Sequence, residues 1–179
     1  MAKIKPGEYY ITRGNESITT VLGSCVAACI RDPKTTVGGM NHFMLPLGKG
    51  DVDGVVDGAL RYGNFAMEHL INGLVKYGAS RGRLEIKLFG GANLAGLGQN
   101  VGQRNVEFIK DYLRIEGFRI SSQDLGGDYP RKIVYFPESG KVLLKKIEKR
   151  AVEPVVIEEQ KMAKQINKSP IQGEVELFI

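Results

Sequence analysis

The apolar residues of this 179-residue chain are gathered into short runs, and this constrains the fold more than any other feature. The longest wholly apolar run is only the short one around Val26–Ile30, whereas a membrane-spanning helix needs about 20 such residues. We therefore expect no membrane insertion. Short runs bounded by Gly, Pro, Asn and Asp are instead typical of β-strands joined by turns.

The pattern predicts eight strands, most of them joined by short connections. They cover residues 8–13, 17–22, 26–31, 36–44, 84–89, 118–123, 132–136 and 141–146. Glycine-rich loops are expected over 46–58 and from Gly90 to Gly102.

Two stretches follow helical spacing instead. In the first, 59–77, apolar residues recur at the i, i+3, i+4 interval and Gly78 ends the pattern. In the second, 105–116, Gly117 has the same role. A third segment, 158–168, is mostly charged or polar and predicts a short exposed helix.

Strands outnumber helices, which favours an α+β fold with a mixed β-sheet and flanking helices over regular βαβ winding. We expect one catalytic domain over residues 1–150. The apolar periodicity fades at Arg150, so residues 151–179 are predicted to form a peripheral C-terminal extension.

Composition narrows the function classes. The net charge of +5 is spread thinly along the chain, which argues against nucleic-acid binding. Two cysteines four residues apart, Cys25 and Cys29, do not make a disulfide framework, and no secretory signal is visible after Met1. A reducing cytoplasm is the expected location.

Two stretches suggest a calcium-binding and a dinucleotide-binding motif, but neither has the residue spacing that its ligand requires. Asp51 begins no EF-hand loop, because Val56 and Tyr62 stand where that loop needs Gly and Glu. The glycines at 96, 98 and 102 lie too far from the preceding strand for a dinucleotide fingerprint. Neither a metal nor an organic cofactor is expected.

Cys25 and His42 form a more promising pair. If the turn between their strands is centred on Pro33-Lys34, the two residues lie directly opposite each other, with Cβ atoms about 5 Å apart. An imidazole beside a thiol lowers the thiol pKa and can shuttle its proton. Simple packing is the alternative, and a turn of odd length would separate the side chains onto opposite faces.

The residues just before Cys25 suit an acyl-transfer site. Gly23 permits a tight turn, and backbone N–H groups around Ser24 and Cys25 could face a developing oxyanion. A third group is needed to orient His42, and Thr19, Thr20 and Ser24 are the candidates near it.

Two stretches carry a specific signal, Gly23-Ser24-Cys25 and Gly38-Gly39-Met40-Asn41-His42-Phe43-Met44-Leu45-Pro46. With them the sequence resembles, over roughly residues 7–148, the CheD family of chemoreceptor glutamine deamidases. Further matching stretches are Phe89-Gly90-Gly91-Ala92, Gly102-Gln103-Arg104-Asn105, Gly126-Gly127 and Arg131-Lys132. The resemblance implies that Cys25 is the nucleophile, His42 the base and Thr19 the third catalytic residue. Thr20 adjoins Thr19, and an alignment shifted by one residue would exchange the two. The resemblance also implies a layered sandwich similar to the catalytic domain of cytotoxic necrotising factor toxins.

The resemblance implies hydrolytic deamidation of specific glutamine side chains on methyl-accepting chemotaxis receptors, through a Cys thioester. A receptor methyl-esterase side activity and a CheC-type phosphatase of phosphorylated CheY as partner are further expectations. Two other functions stay open. One is an adaptor that regulates the phosphatase or the receptor without catalysis, and the other is a different amidase or thiol protease.

Overall fold

The computed structural model describes residues 1–46, 55–148 and 151–168. Most of the loop expected over 46–58 lies outside these residues, but a helix already begins at Val55 within it. Three α-helices are described, α1 (Val55–Lys76), α2 (Val101–Ile115) and α3 (Glu153–Lys168), and a 3-10 turn covers Arg81–Arg83.

Nine strands are described. They are β1 (Ala2–Lys3), β2 (Tyr9–Thr12), β3 (Ile18–Leu22), β4 (Val26–Arg31), β5 (Gly38–Asn41), β6 (Glu85–Gly90), β7 (Ile120–Leu125), β8 (Arg131–Phe136) and β9 (Lys141–Lys146). The eight predicted strands are all present; β1 is the addition, and β5 is shorter than the 36–44 predicted for it.

The strands form two mixed sheets. The outer sheet has the order β1-β3-β8-β9, and the inner sheet has the order β2-β5-β4-β6-β7. One pair in each sheet is parallel, β1 with β3 and β6 with β7, and the other pairs are antiparallel. The expectation of α+β layers with mixed sheets is confirmed.

The inner sheet lies between two hydrophobic cores because β4 is apolar on both faces. Val26, Ala28 and Ile30 face α1 and α2, whereas Cys25, Ala27 and Cys29 face the outer sheet. A strand buried on both sides reads as a continuous apolar run, which explains the longest apolar run in the sequence.

Helix α2 begins four residues before its predicted start, and its first turn includes Gly102. A Cβ atom at this position would lie 2.2 Å from the carbonyl oxygen of Ala92. Glycine is a poor helix former, but here it lets the first turn of α2 approach the turn that follows β6. The predicted glycine stop after α2 is confirmed, since Gly117 has a φ of 75°.

The prediction of a short exposed helix over 158–168 was wrong in where the helix starts and in its exposure. Helix α3 starts at Glu153, and one face is buried through Val155, Glu159, Met162 and Ala163. This face contacts the core between the sheets and a small cluster of Ala92, Leu94 and Leu97. Within the described ranges, no helix combines the length and apolarity needed to cross a membrane.

Candidate active site

The loop Gly23-Ser24-Cys25 joins β3 to β4 and is held through its carbonyl groups. Ala92 N–H donates to the Gly23 carbonyl at 2.8 Å, and Gly91 N–H donates to that of Cys25 at 2.8 Å. The Asn105 side chain of α2 donates to the Ser24 carbonyl at 2.8 Å. With all three carbonyls fixed, the three N–H groups point together at one place.

Cys25 and His42 lie on the same face of the inner sheet, but the predicted register was wrong by two residues. Cys29 pairs with Met40, and Val26 pairs with Phe43. Cys25 is therefore diagonal to His42 rather than directly opposite. Because side chains alternate with a period of two, a shift of two residues keeps both on one face, and diagonal neighbours remain within reach of long side chains.

Thr20 is the hydroxyl that contacts His42. Its Oγ1 lies 2.8 Å from Nδ1 of the imidazole and donates its single proton to the Ile4 carbonyl, also at 2.8 Å. Thr20 must then accept from Nδ1–H, which fixes the neutral tautomer. The lone pair stays on Nε2, a buried atom with no hydrogen-bond partner in the described part of the chain.

Thr19 is buried but is not brought to His42. Adjacent residues of a strand point to opposite faces, and the Thr19 hydroxyl donates to the Ile133 carbonyl at 2.8 Å within the outer sheet. Of the two threonines, only Thr20 has the geometry to orient the imidazole.

Glu159 of α3 occupies the place at which the loop N–H groups point. Its Oε1 accepts from Gly23 N–H at 2.9 Å and from Cys25 N–H at 3.1 Å. Its Oε2 accepts from Ser24 N–H at 2.9 Å and from the Ser24 hydroxyl at 2.6 Å. Successive backbone N–H groups arranged in this way form an anion-binding nest.

Gly23 is needed for this contact through space rather than through an unusual φ. A Cβ atom there would lie 2.9 Å from both carboxylate oxygens of Glu159 and 2.8 Å from Leu94 Cδ1. Gly23 and Ser24, predicted as supports of the loop, both lie against the Glu159 carboxylate, and their role in catalysis remains a prediction.

Both proposed reactive groups are neutral in this arrangement. Burial, followed by the nearby Glu159 charge, raises the pKa of the Cys25 thiol well above its ordinary value. Burial lowers the pKa of His42 to about 3. Cys29, on the same face of β4, has a pKa that burial raises as well, and the charge of Lys87 opposes that rise.

Cys25, His42 and Glu159 bring a sulfur, a nitrogen and a carboxylate oxygen within 4.8 Å of one another. Such a set could in principle hold a metal ion. Here, however, both Glu159 oxygens accept hydrogen bonds from N–H or O–H donors. Donors of this kind attract an anion and would repel a cation, so the arrangement favours a hydrogen-bonded carboxylate.

Sequence reasoning missed Glu159 and Asn105. Glu159 had a readable signal, because it interrupts an apolar stripe formed by Val155, Val156, Met162 and Ala163. An acid in the middle of an apolar helix face indicates a buried carboxylate with dedicated donors. Asn105 gave no comparable signal, since a polar residue near a helix start is ordinary.

Comparison with known proteins identifies the family to which the chain belongs. A family model described as CheD chemotactic sensory transduction matches residues 44–146. A protein of Hahella chejuensis is 49% identical over 99% of this chain and 85% of its own length. One from Janthinobacterium sp. is 52% identical over 99% and 88%, and one from Hydrogenovibrio crunogenus is 50% identical over 98% and 93%. All three relatives carry the name "Probable chemoreceptor glutamine deamidase CheD". Identity at this level over nearly the whole chain shows that it belongs to the CheD family.

Proposed function

We propose that this chain hydrolyses the side-chain amide of glutamine residues in chemoreceptors and releases ammonia. The observation that carries the proposal is the convergence of a thiol, an imidazole and three loop N–H groups on one carboxylate-sized place. The names of the relatives supply the substrate class.

The mechanism begins with proton transfer from the Cys25 thiol to His42. The thiolate then attacks the carboxamide carbon of the substrate, and the resulting oxyanion accepts from the N–H groups of Gly23 and Cys25. One such donor is worth about 2.7–4 kcal/mol of transition-state stabilisation. The imidazolium gives its proton to the departing nitrogen, since an amide anion is a poor leaving group.

A thioester on Cys25 is left, and water must complete the reaction. His42 takes a proton from that water as it attacks the thioester carbon, and the Cys25 thiol and a glutamate side chain are regenerated. A cavity of about 180 Å³ borders His42, Tyr62 and His69, which is enough volume for water beside the site.

Thr20, rather than Thr19, acts as the positioning residue in this proposal, because its hydroxyl holds His42 in the tautomer that leaves Nε2 basic. The same acyl intermediate could form from a receptor methyl ester, so methyl-esterase activity is part of the proposal. A CheC-type phosphatase partner remains an expectation of the resemblance, and a cytoplasmic location remains an expectation drawn from the cysteine content of the sequence.

We expect Cys25→Ser to lower the deamidation rate by at least about a thousandfold, because a serine hydroxyl is a far weaker nucleophile than a cysteine thiolate. The measurement is mass spectrometry of a receptor cytoplasmic fragment after incubation with purified protein. Cys29→Ser is the matched control, as it removes a second buried thiol of the same strand face. Equal rates for Cys25→Ser and the unmodified chain would contradict the mechanism.

A further inference from the structure

Helix α3 covers the site, and its Glu159 side chain occupies the place at which a substrate side chain would have to bind. Cys25 is 0% exposed and Glu159 is 1% exposed. A glutamine carboxamide cannot meet the N–H groups of Gly23 and Cys25 while Glu159 accepts from both. Any substrate must therefore displace Glu159 from its donors.

The displaced group is chemically identical to the product of the proposed reaction. Deamidation turns a glutamine side chain into a glutamate side chain, and Glu159 places a glutamate carboxylate within 4.8 Å of the Cys25 sulfur. Both carboxylate oxygens accept hydrogen bonds from the loop. A carboxamide, which has one acceptor oxygen and one NH₂ donor, could not accept all four.

The surroundings of Glu159 are those of a helix seated in a groove. Val156 packs against the cluster of Ala92, Leu94 and Leu97 at one end, while Met162 and Ala163 join the core between the sheets at the other. The Gln160 side chain donates to the Gly96 carbonyl at 2.7 Å. Of the residues that make these contacts, Val156, Gln160 and Ala163 lie four and three positions apart, as residues on one face of a helix do.

We infer that α3 is a product analogue carried by the chain itself, and that the groove beneath it is the groove that receives a substrate helix. The inference rests on the proposed function and specifies its substrate. The groove takes a helix that presents its glutamine between apolar residues, four positions before it, as Val155 is to Glu159, and three and four positions after it, as Met162 and Ala163 are.

The inference predicts that Glu159→Gln turns α3 into a substrate. The Cys25 thiolate would attack the carbonyl carbon of the introduced amide, the C–N bond would break, and ammonia would leave with the proton from His42. Water would then hydrolyse the thioester, and position 159 would again be glutamate. Peptide mass spectrometry of the full-length variant measures this conversion directly.

The chain supplies its own controls. Gln160 and Gln165 lie on the same helix and should remain glutamine in the same sample. The double variant Glu159→Gln, Cys25→Ser should keep its amide at position 159. Glu158→Gln, the same change at the exposed neighbouring position, should also keep its amide.

Measuring the deamidation of a receptor fragment by the same protein preparations distinguishes the proposed function from the inference about α3. Conversion at position 159 that requires Cys25 supports the inference. If Glu159→Gln protein deamidates the receptor but keeps its own amide, the inference is overturned and the proposed function stands. If neither is converted, both are overturned, and conversion that survives Cys25→Ser also overturns the inference.

Receptor kinetics give a second, independent readout. When a helix of the chain competes for the groove, the apparent KM equals the intrinsic KM divided by the fraction of molecules whose groove is open. We expect Glu159→Ala to lower KM by about fivefold or more with little change in kcat. Glu158→Ala should leave KM unchanged, and an unchanged KM for Glu159→Ala would contradict the competition.

Discussion

The hydroxyl at position 20 governs the protonation pattern of the site. Because the Thr20 proton is committed to the Ile4 carbonyl, the imidazole has to donate from Nδ1 and keep its lone pair on Nε2. In the proposed mechanism, this single side chain prepares His42 to receive the Cys25 proton. The contact depends on the alternation of side chains along β3, which turns Thr20 and Thr19 to different faces.

Substituting Thr20 and Thr19 separately tests this geometry. Thr20→Val removes the acceptor for Nδ1–H, and we expect kcat to fall by about tenfold or more, which corresponds to about 1.4 kcal/mol. Thr20→Ser keeps the hydroxyl and should restore most of the rate.

Thr19→Val is the matched control. It loses the hydrogen bond to the Ile133 carbonyl and should lower the free energy of unfolding by about 1 kcal/mol while kcat is kept. Steady-state kinetics and denaturant unfolding of all three variants distinguish the roles. A larger loss of kcat in Thr19→Val than in Thr20→Val would contradict the assignment.

At the scale of elements, the strands and the two long helices could be predicted because their apolar periodicity is local. The pairing between strands could not be predicted to the residue, because register depends on the loop between β4 and β5 as well as on pattern. The prediction that Cys25 and His42 share a face held, since the register error was two residues and not one.

The burial of α3 was not predicted for a different reason. Its apolar stripe begins at Val152, before the charged stretch at 158–168 that dominates the local composition. The partner surface of that stripe is formed by Leu94 and Leu97, which lie in a glycine-rich loop far away in sequence. The stripe could be read from the sequence, but the surface on which it packs carries no regular pattern that would have identified it as the partner.

Two helical glycines should respond to alanine in opposite directions. A methyl group added at Gly58 in α1 would have nothing within 4 Å of it, so Gly58→Ala should raise the free energy of unfolding by about 0.5–1 kcal/mol. Gly102→Ala would place a methyl group 2.2 Å from the Ala92 carbonyl oxygen. We expect it to cost about 1–3 kcal/mol, as overpacking does, and to loosen the turn that holds the Cys25 loop.

Thermal or denaturant unfolding of the two variants measures these changes. An unfolding free energy for Gly102→Ala equal to that of the unmodified chain would mean that the start of α2 can shift without cost. In that case the close approach of α2 to the turn after β6 would not be what fixes the Cys25 loop.

For the whole molecule, the buried imidazole makes stability depend on pH. The pKa of His42 is about 3 in the folded protein and about 6.5 when unfolded. Between these values only the unfolded chain binds the proton, so stability falls as pH falls. We expect unfolding free energy to be about 1.5 kcal/mol lower at pH 5 than at pH 6.5 from this group.

Denaturant unfolding between pH 5 and 8 checks the slope. His42→Gln should flatten it, whereas His69→Gln, at an exposed position on α1, should leave it in place. Asp32 does not interfere in this range. Hydrogen bonds from Arg83 hold the pKa of Asp32 below its ordinary value of 3.8, so its contribution is lost only in stronger acid. A pH-independent stability in the unmodified chain would contradict the prediction.

The division of the chain at residue 150 remains a prediction about the whole molecule. Helix α3 contacts the core through one face only, and its opposite face is exposed. We expect backbone amides of residues 153–168 to exchange with deuterium faster than those of Glu85–Gly90, which pairs with strands on both sides. Exchange of α3 as slow as that of this strand would show that the extension is an integral part of the domain.

The cover that α3 places over Cys25 also has a consequence for sulfur redox chemistry. Peroxides oxidise the thiolate of a cysteine, and susceptibility follows thiolate character and solvent access. Cys25 is fully buried, and its pKa is raised by burial and by Glu159, so the covered protein keeps its sulfur in the unreactive thiol form. Uncovering the groove for a substrate would therefore be the moment at which this sulfur becomes vulnerable to oxidation as well as ready for catalysis.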